Sequence, residues 1–459
     1  MALADARSVS VETAHAISVE SFVAERMDNA PLTSFHWRVV FLISAGLFLD
    51  LLDIAVFGSL VPGMVQSHFA TVENISLIIS SLFAGLFIGS VAQGEFTDRF
   101  GRKAVYQANL LIFGLATVAL AFSPNYMVFA VLRFIAGVGL GAETPLCFAY
   151  AAEFSPKRVR GRLLATTQFI GGACSWPLAI LFVLLVGNTI GWRGVFFCIG
   201  VLALVVFVLR FSLPESPRWL ATHGQKEKAL EILARMGLPG PEANVELVVD
   251  AVSATKTDPV VVLIRQNLRR VVFVAIASFF VFGVGLMLAS WLPSMMVDRG
   301  FTITKALSFT FGMTLSYPLS SLFLIFALDY FGRKITAVAS MLAAGILAVL
   351  FWQSNSETML LVTGFFMFFA MQAGTNALIM FSSEVFPTNA RGTGLGVAFG
   401  TGKLAAMLSG YGILVVKTYG AYVAFDLIAA FLAISAVSVL LIGRETKGLP
   451  LNVIAPPTA

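Results

Sequence analysis

The chain has 459 residues, of which 58% are hydrophobic and only 12% are charged, with a formal net charge of +5. A soluble domain carries about 25% charged residues, so these charges are too few to cover a water-soluble globule, and the composition predicts a membrane protein. The basic residues form no nucleic-acid-binding face, and the three cysteines and four histidines show no metal-ligand spacing, so we expect neither nucleic acid, metal nor other cofactor.

Apolar runs long enough to cross a bilayer as helices, which takes about 20 residues, recur along the whole chain. Twelve of them lie at residues 39–65, 74–95, 104–122, 126–151, 164–187, 193–212, 270–296, 304–328, 335–353, 357–382, 394–416 and 420–442. They predict an all-α membrane protein with twelve transmembrane helices.

The polar stretches between these runs suggest a division of the chain. The predicted parts are an N-terminal segment (1–35), a six-helix bundle (36–212), a linker (213–269), a second six-helix bundle (270–443) and a tail (444–459). The N-terminal segment has no apolar core of the kind that a cleavable signal peptide needs, so the first span is expected to act as an uncleaved anchor.

Two short charged patterns occur twice, at the same separation in sequence. Asp98, Gly101, Arg102 and Lys103 recur as Asp329, Gly332, Arg333 and Lys334, and Glu153, Pro156, Arg160 and Gly161 recur as Glu384, Pro387, Arg391 and Gly392. Two unrelated patterns rarely share one spacing by chance. The chain is therefore predicted to contain two six-helix halves that are parallel copies of one unit.

Lysine and arginine are concentrated in the loops after the second, fourth, eighth and tenth predicted spans. These loops hold Arg99, Arg102, Lys103, Lys157, Arg158, Arg160, Arg162, Arg333, Lys334 and Arg391. Short loops rich in Lys and Arg remain on the cytoplasmic side of a membrane. We therefore expect an integral protein of the plasma membrane, the inner membrane in a bacterium, with both termini in the cytoplasm.

The loop after the second span carries the most specific motif. Residues Gly94–Lys103 read GEFTDRFGRK and resemble the G-x-x-x-D-R-x-G-R-[RK] signature of the major facilitator superfamily. Residues 214–220 (PESPRWL) and 445–448 (ETKG) look like signatures of its sugar porters. Residues 141–162 and the DLLD run at 50–53 are more similar to its proton-coupled metabolite and aromatic-acid symporters, which usually have glycine at the second position of that run. The resemblance implies a twelve-helix secondary transporter.

Asp50 and Asp53 lie deep in the first span. Asp50 is about 16 Å along the helix from the start of the span, near the middle of the bilayer, and the i, i+3 spacing puts both carboxylates on one face. Ionisable groups at this depth cost about 2.5–3.5 kcal/mol and are functional by default. Two close carboxylates out of water cannot both ionise cheaply, which makes the pair a candidate proton carrier. The alternative is that one of them holds a neighbouring helix through a salt bridge.

Three further charged residues lie well inside spans. Arg133 and Glu143, both in the fourth span, are about 15 Å apart along the helix, so each needs a partner on another helix. Arg133 could meet the two aspartates or a substrate carboxylate, whereas Glu143 could be structural. Lys403, in the eleventh span, is either a cation for an anionic substrate or a lysine paired with a core acid. The candidate substrate-binding residues are Arg133, Glu143, Lys403, Gln168, Trp176, Gln372 and Asn376. Trp291 could also line a cavity, and Asp426 is interpreted as structural.

The charged motifs of the cytoplasmic loops suggest a gate. The resemblance implies that Asp98 approaches the amino end of the eleventh helix, where the helix dipole favours an anion. Glu153 and Glu384 could pair with Arg102 and Arg333 across the halves and latch the inner face. The alternative is positive-inside topology alone, but topology does not require Gly101 or Asp98 at a fixed spacing, so a latch is favoured. The candidate gating residues are Gly94, Asp98, Arg99, Gly101, Arg102, Lys103, Glu153, Arg160, Asp329, Gly332, Arg333, Glu384 and Arg391.

The sequence has no G-x-x-x-x-G-K-[ST] phosphate-binding loop and no evident nucleophile–base set, so neither ATP-driven transport nor an enzyme is expected. It predicts a proton-coupled symporter that imports a small organic acid, with an aromatic or pyridine carboxylate as the leading candidate. The alternatives are a sugar or polyol symporter, a drug efflux antiporter, and a membrane sensor that binds without transporting. The expected partners are the substrate, protons and the lipid bilayer, and the chain is expected to be monomeric.

Overall fold

A computed structural model of the protein describes residues 15–141, 143–241, 245–248, 265–386, 391–442 and 445. Within these ranges it leaves aside the side chains of residues 15, 16, 91–95, 98, 245, 246, 325, 329, 383 and 391–395. The described chain is almost entirely helical. Lipid offers no hydrogen-bond partner to the backbone, so each spanning segment must satisfy its own N–H and C=O groups, as a helix does.

The first half of the chain folds into eight helices. They are α1 (Val19–Asp28), α2 (Ser34–Gln66), α3 (Val72–Phe100), α4 (Arg102–Leu120), α5 (Tyr126–Leu140), α6 (Glu143–Phe154), α7 (Arg160–Thr167) and α8 (Ser175–Leu209). A π-helical turn, Gln168–Ala173, joins α7 to α8, and a 3-10 turn, Arg210–Ser212, follows α8. Polar caps fix several helix starts, as where the Asn125 side chain accepts the N–H of Val128 at the start of α5.

The linker and the second half contain ten helices among the described residues. They are α9 (Pro217–Thr222), α10 (Lys226–Arg235), α11 (Leu268–Asp298), α12 (Ile303–Thr314), α13 (Ser316–Tyr330), α14 (Arg333–Gln353), α15 (Glu357–Val385), α16 (Arg391–Ser409), α17 (Gly412–Tyr419) and α18 (Ala421–Ile442). Two short strands, β1 (His15–Ser18) and β2 (Val245–Val248), pair in parallel.

All twelve predicted spans are occupied by helix, so the predicted all-α membrane fold is confirmed. In the described ranges, nine helical runs are long and apolar enough to cross a membrane, or ten when the bent pair α16 and α17 forms one span. With the bent pair counted as one span, two features account for the difference between ten and twelve. The run Arg160–Ser212 contains both the fifth and the sixth span, and Leu315 divides the eighth span into helices of 12 and 15 residues.

The fifth and sixth spans are separated by a reversal at Gly191. This residue has φ 65°, a left-handed conformation inside an otherwise continuous helical run. Glycine adopts that conformation without steric cost because it has no Cβ. Next to the reversal, the Arg193 guanidinium donates to the carbonyl oxygens of Ala121 and Ser123 at 2.9 and 2.8 Å, which fixes the loop after the third span.

The two halves meet through helix pairs. α2 packs against α11, α3 against α16, and α8 against α12. In the first pair, a Cβ on Gly58 would lie 2.3 Å from the Ala289 carbonyl oxygen, so only glycine allows this approach. In the second pair, the Ser80 hydroxyl donates to the Met407 carbonyl at 2.7 Å.

We call the end of the bundle that carries Arg102, Lys103, Arg333 and Lys334 the basic end. α16 begins at that end and runs away from it. A Cβ placed on Gly396 or Gly400, in the part of α16 nearer the basic end, would meet open space. α16 is therefore not tightly packed at these two positions.

The N-terminal segment and the linker pack together at the basic end. α1 packs on α9 and α10, and Asp28 at its end accepts from Arg160 and Arg218, each at 2.6 Å. Partial burial raises the pKa of the Asp28 carboxyl, but the Arg218 and Arg160 guanidinium groups outweigh burial and the net pKa is lowered. The linker is thus anchored to the first half through α1.

Candidate functional site

The centre of the first half holds a buried ion pair between Asp53 and Arg133. Arg133 Nη1 lies 2.6 Å from Asp53 Oδ2, and both side chains are inaccessible to solvent. The guanidinium also faces the rings of Phe57 and Phe196, with Cζ 4.6 and 5.8 Å from their centroids. Aromatic faces attract cations, so these rings help to hold the guanidinium in place. Arg133 was predicted to meet either the two aspartates or a substrate carboxylate, and in the structure its partner is Asp53.

A second buried pair joins Glu143 to Arg210. Arg210 Nη2 lies 2.6 Å from Glu143 Oε1, and both side chains are fully buried. The Tyr106 ring lies under the guanidinium, with its centroid 3.8 Å from Cζ. A Cβ on Gly46 would lie 1.7 Å from each of these two charged atoms, so the pair depends on glycine in α2. Glu143, predicted as a substrate ligand or a structural group, has no exposed surface in this conformation.

Arg210 is a charged site residue that the sequence interpretation missed. It ends the apolar run of the sixth span, at a boundary that the sequence predicts to be cytoplasmic, where an arginine is ordinary positive-inside topology. The available signal was Glu143, an acid that needed a partner on another helix. Arg210 also donates through Nε to the Leu42 carbonyl at 3.1 Å, so it ties α8 to α2 as well as to α6.

Asp50 differs from Asp53 in its surroundings. Its Oδ2 accepts a hydrogen bond from the Thr144 hydroxyl at 3.1 Å, and its Oδ1 has no hydrogen-bond partner among the described residues. Asp50 is buried and makes no ion pair within 4.0 Å with any described side chain. Its electrostatic neighbours include Glu143 and Lys403.

Lys403 reaches from the second half into the first. Its Nζ donates to the carbonyl oxygens of Gly141 and Leu86 at 2.5 and 3.4 Å, and its charge interacts with Asp50. The Gly141 carbonyl is available because Pro145, four residues later, has no N–H to donate to it. Lys403 remains partly exposed, unlike Arg133 and Arg210.

Four of the polar and aromatic residues predicted to line a cavity are partly exposed: Gln168, Trp176, Gln372 and Asn376. The fifth, Trp291, is fully buried and cannot line a cavity in this conformation. Gln168 begins the π-helical turn, and Trp176 lies about two turns farther on, at the start of α8. The Trp176 ring meets the Tyr317 ring of the second half at 5.6 Å between centroids. Gln372 and Asn376 share one face of α15 because they are four residues apart. Tyr317 was not predicted as a site residue.

At the basic end, the structure corrects one predicted contact. Arg102 Nε lies 3.4 Å from Glu153 Oε1, and Arg333 Nε lies 3.3 Å from Glu384 Oε1. The predicted partners are therefore right, but each pair lies within one half, so the prediction that they pair across the halves was wrong. A contact made inside one copy of a repeat recurs inside the other, which explains why both pairs share one sequence spacing.

Two further acids cap the helices that follow the repeated motif. Glu215 accepts the backbone N–H groups of Arg102 and Lys103 at 3.0 and 3.1 Å, and Glu445 accepts those of Arg333 and Lys334 at 2.8 and 3.0 Å. A carboxylate is favoured there because the first N–H groups of a helix lack partners within it. Burial raises the pKa of Glu215, although three backbone N–H groups and Arg102 oppose it.

The remaining predicted gating residues are located in part. Arg160 pairs with Asp28, as described above, and the Arg99 guanidinium lies over the Phe100 ring at 5.3 Å. Gly101 and Gly332 have φ values of 92° and 96°. Gly94, apart from its place in α3, and the side chains of Asp98, Asp329 and Arg391 lie outside the described part of the structure.

Gly101→Val is expected to lower the thermal stability of the detergent-solubilised protein. A Cβ there would lie 2.4 Å from the Glu215 carboxylate, and a β-branched residue at this positive φ adds strain on the order of 1–3 kcal/mol. Differential scanning fluorimetry checks the change in Tm. Gly240→Val, at an exposed position where a Cβ meets open space, is the matched control. Equal Tm values for the two variants would contradict the proposed packing.

Comparison with known proteins places this geometry among transporters. The family described as "Sugar (and other) transporter" matches residues 39–456. The niacin transporter NiaP of Acinetobacter baylyi is 27% identical, over 94% of this chain and 99% of that protein. The 4-hydroxybenzoate transporter PcaK of the same species is 29% identical, over 84% and 86%. The partially occluded inward-open xylose transporter XylE from E. coli superimposes with a TM-score of 0.73 at 22% identity, over 91% of this chain and 100% of that one.

Proposed function

Because the chain belongs to the sugar (and other) transporter family, we propose that it is a proton-coupled symporter that imports a small organic acid. The substrate class is a monocarboxylate on an aromatic or pyridine ring. The observation that carries this proposal is Lys403, a partly exposed cation between the halves with no acidic partner within 4.0 Å among the described side chains.

The choice of an anionic substrate rests on how the buried cations are used. Arg133 and Arg210 each have a carboxylate at 2.6 Å and are inaccessible. Lys403 Nζ instead donates hydrogen bonds to two backbone carbonyls. These are weaker partners for an ammonium group than a carboxylate is. Lys403 therefore offers a substrate carboxylate an accessible cation at the interface that must rearrange during transport.

An aromatic ring in the substrate fits the neighbouring side chains. Trp176 and Tyr317 meet edge to face across the halves, and aromatic rings favour offset or edge contacts with further rings. The amides of Gln372 and Asn376, on α15, which packs against α13, can hydrogen-bond a ring nitrogen or hydroxyl. The two relatives described above carry niacin and 4-hydroxybenzoate by name, and both compounds combine a ring with a carboxylate.

Transport would proceed by rocking of the two halves about this central site, as parallel repeats in such transporters do. We propose that the basic end is cytoplasmic, because Lys and Arg accumulate there, and that residues 36–212 and 270–443 move as two bundles. The capped helix starts near Gly101 and Gly332 and the pairs Arg102–Glu153 and Arg333–Glu384 would keep each half rigid where the gate opens. A proton gradient can drive this cycle, since each charge moved through 100 mV supplies about 2.3 kcal/mol.

Uptake by purified protein in liposomes tests the proposal. With an alkaline interior, we expect radiolabelled nicotinate or 4-hydroxybenzoate to accumulate above the level in protein-free liposomes, and a protonophore to abolish the accumulation. Xylose serves as the sugar comparison. Accumulation of xylose and not of either carboxylate would favour a sugar symporter instead, and binding without flux would indicate a sensor.

A further inference from the structure

A cavity of about 390 Å³ lies at the basic end, between the linker helices α9 and α10 and the junction of α3 with α4. We call it the linker cavity, and the residues that line it include Phe100, Lys103, Trp219, Lys228 and Arg235. None of these belongs to the candidate substrate site. We propose that the linker cavity binds the headgroup of an anionic phospholipid, with the phosphate among its basic side chains.

The linker cavity lies at the level where lipid headgroups meet the hydrocarbon. Lys103 directly precedes the apolar run of the third span, and its Nζ donates to the carbonyl of Phe211, near the end of the sixth span, at 3.0 Å. The side chains of Phe100 and Phe211 are more than half exposed, and aromatic side chains concentrate at this boundary in membrane proteins. The acyl chains of a lipid bound here can therefore follow the apolar surface of the bundle.

Two of the three cations in the linker cavity have only neutral hydrogen-bond acceptors. Lys103 Nζ donates to the Phe211 carbonyl, and Lys228 Nζ donates to the side-chain oxygen of Gln225 at 3.0 Å. Neither lysine makes an ion pair within 4.0 Å with any side chain that the structure describes. Hydrogen bonds from an ammonium group to an anion are stronger than those to a neutral oxygen. A phosphate between these two lysines would therefore gain the stronger bonds.

The two acids among the described residues that line this cavity do not cancel its positive charge. Glu215 accepts the backbone N–H groups of Arg102 and Lys103, so its carboxylate is turned toward the start of α4. Glu231 Oε1 lies 2.6 Å from Arg235 Nη2, and both side chains are more than half exposed. An exposed ion pair of this kind contributes little free energy. Arg235 can therefore exchange Glu231 for a phosphate, and three cations face the ligand.

The corresponding corner of the second half shows what α10 adds. There Lys334 Nζ donates to the Leu440 carbonyl at 2.8 Å, just as Lys103 donates to the Phe211 carbonyl in the first half. In the described ranges, no counterpart of α10 covers that corner. The repeated unit thus supplies a lysine at the membrane boundary in both halves, whereas the linker supplies a second basic wall, and with it a cavity, in the first half.

A phospholipid is the anion best placed to reach the linker cavity. Anionic lipids carry a phosphate at the membrane surface, and basic pockets beside transmembrane helices hold such headgroups. The volume of about 390 Å³ lies within the range of ~300–1,000 Å³ that ligand pockets occupy. A lipid bound here would join Lys228 and Arg235 of α10 to Lys103 of α4 through one phosphate, and so hold the linker against the first half. This site does not depend on what the transporter carries.

Thermal unfolding of the full-length protein, washed free of lipid in an uncharged detergent, tests the site. We expect short-chain phosphatidylglycerol to raise the Tm in a saturable way, because a ligand that binds the folded state stabilises it. Phosphatidylcholine with the same chains, inorganic phosphate and glycerol phosphate should not raise it. No stabilisation by phosphatidylglycerol, or equal stabilisation by phosphatidylcholine, would overturn the inference. Equal stabilisation by either soluble phosphate would also overturn it, in favour of a soluble anion.

Variants of α10 locate the site and give the dissociation constant a predicted direction. Lys228→Gln combined with Arg235→Gln removes two exposed cations and should weaken phosphatidylglycerol binding by about 10- to 30-fold. Glu231→Gln frees Arg235 from its acid and should tighten binding. Lys157→Gln combined with Arg158→Gln removes two exposed cations elsewhere at the basic end and is the matched control, with native affinity expected. Native affinity in the α10 double variant, or an equal loss in the control, would overturn the assignment.

Discussion

Arg210→Leu is expected to destabilise the protein by about 3–5 kcal/mol, because it leaves the Glu143 carboxylate buried with no counter-ion. The Arg210 guanidinium also ties α8 to the Leu42 carbonyl of α2, so the loss loosens the first half at the basic end. Thermal unfolding in detergent should show a fall in Tm of roughly 6–20 °C. Both partners are fully buried, so water cannot screen the lost interaction.

Two comparisons isolate the charge effect. Arg235→Leu breaks an exposed pair with Glu231 of the same 2.6 Å length and should change stability by less than about 1 kcal/mol. The double variant Glu143→Gln with Arg210→Met removes both charges and should recover most of the lost stability, since a buried pair is often replaceable by neutral groups. A double variant as unstable as the single one would show that packing of Arg210, and not its charge, stabilises this site.

Lys403→Gln is expected to raise the KM for a carboxylate substrate by about 10- to 100-fold. A hydrogen bond to a charged group contributes about 1.5–3 kcal/mol, and each 1.36 kcal/mol corresponds to a factor of ten. Concentration-dependent uptake of nicotinate in proteoliposomes gives the KM. Lys403→Arg keeps the charge and should lose less affinity, although its planar head group fits the Gly141 carbonyl differently.

Lys417 provides the control for this experiment because it is a lysine on the following helix, α17, at an exposed position. Lys417→Gln removes the same charge without touching the site and should leave the KM unchanged. An unaltered KM in Lys403→Gln for nicotinate, 4-hydroxybenzoate and benzoate together would exclude Lys403 as the anion site. A similar loss in both lysine variants would indicate a general surface-charge effect.

The intramembrane charges show where sequence reasoning reaches its limit. The sequence identified Asp50, Asp53, Arg133, Glu143 and Lys403 because charges in apolar runs are costly and therefore conspicuous. It could not assign their partners. Asp53 and Arg133 are 80 positions apart in the chain, and only helix packing brings them to 2.6 Å. Arg210 was missed because its position at the end of a span has an ordinary topological explanation.

At the basic end too, the sequence predicted the charged residues that interact but not where their contacts lie. The repeated spacing of Arg102 and Glu153 with Arg333 and Glu384 predicted which residues pair, but a linear repeat does not say whether a contact lies within a copy or between copies. The structure places both pairs within their own halves. The roles of Glu215 and Glu445 as caps also became apparent only when helix starts were located in space.

The sequence by itself determined the class of protein, the twelve helical spans and their duplication. Hydrophobicity over about 20 residues is a local property, and lipid forces such a segment into a helix whatever its neighbours are. The tertiary structure decided which charges neutralise each other and which remain accessible, because these depend on how each helix is rotated and placed against the next. Only that packing separates Asp53, closed in its pair with Arg133, from Asp50, which shares its surroundings with Lys403 of the other half.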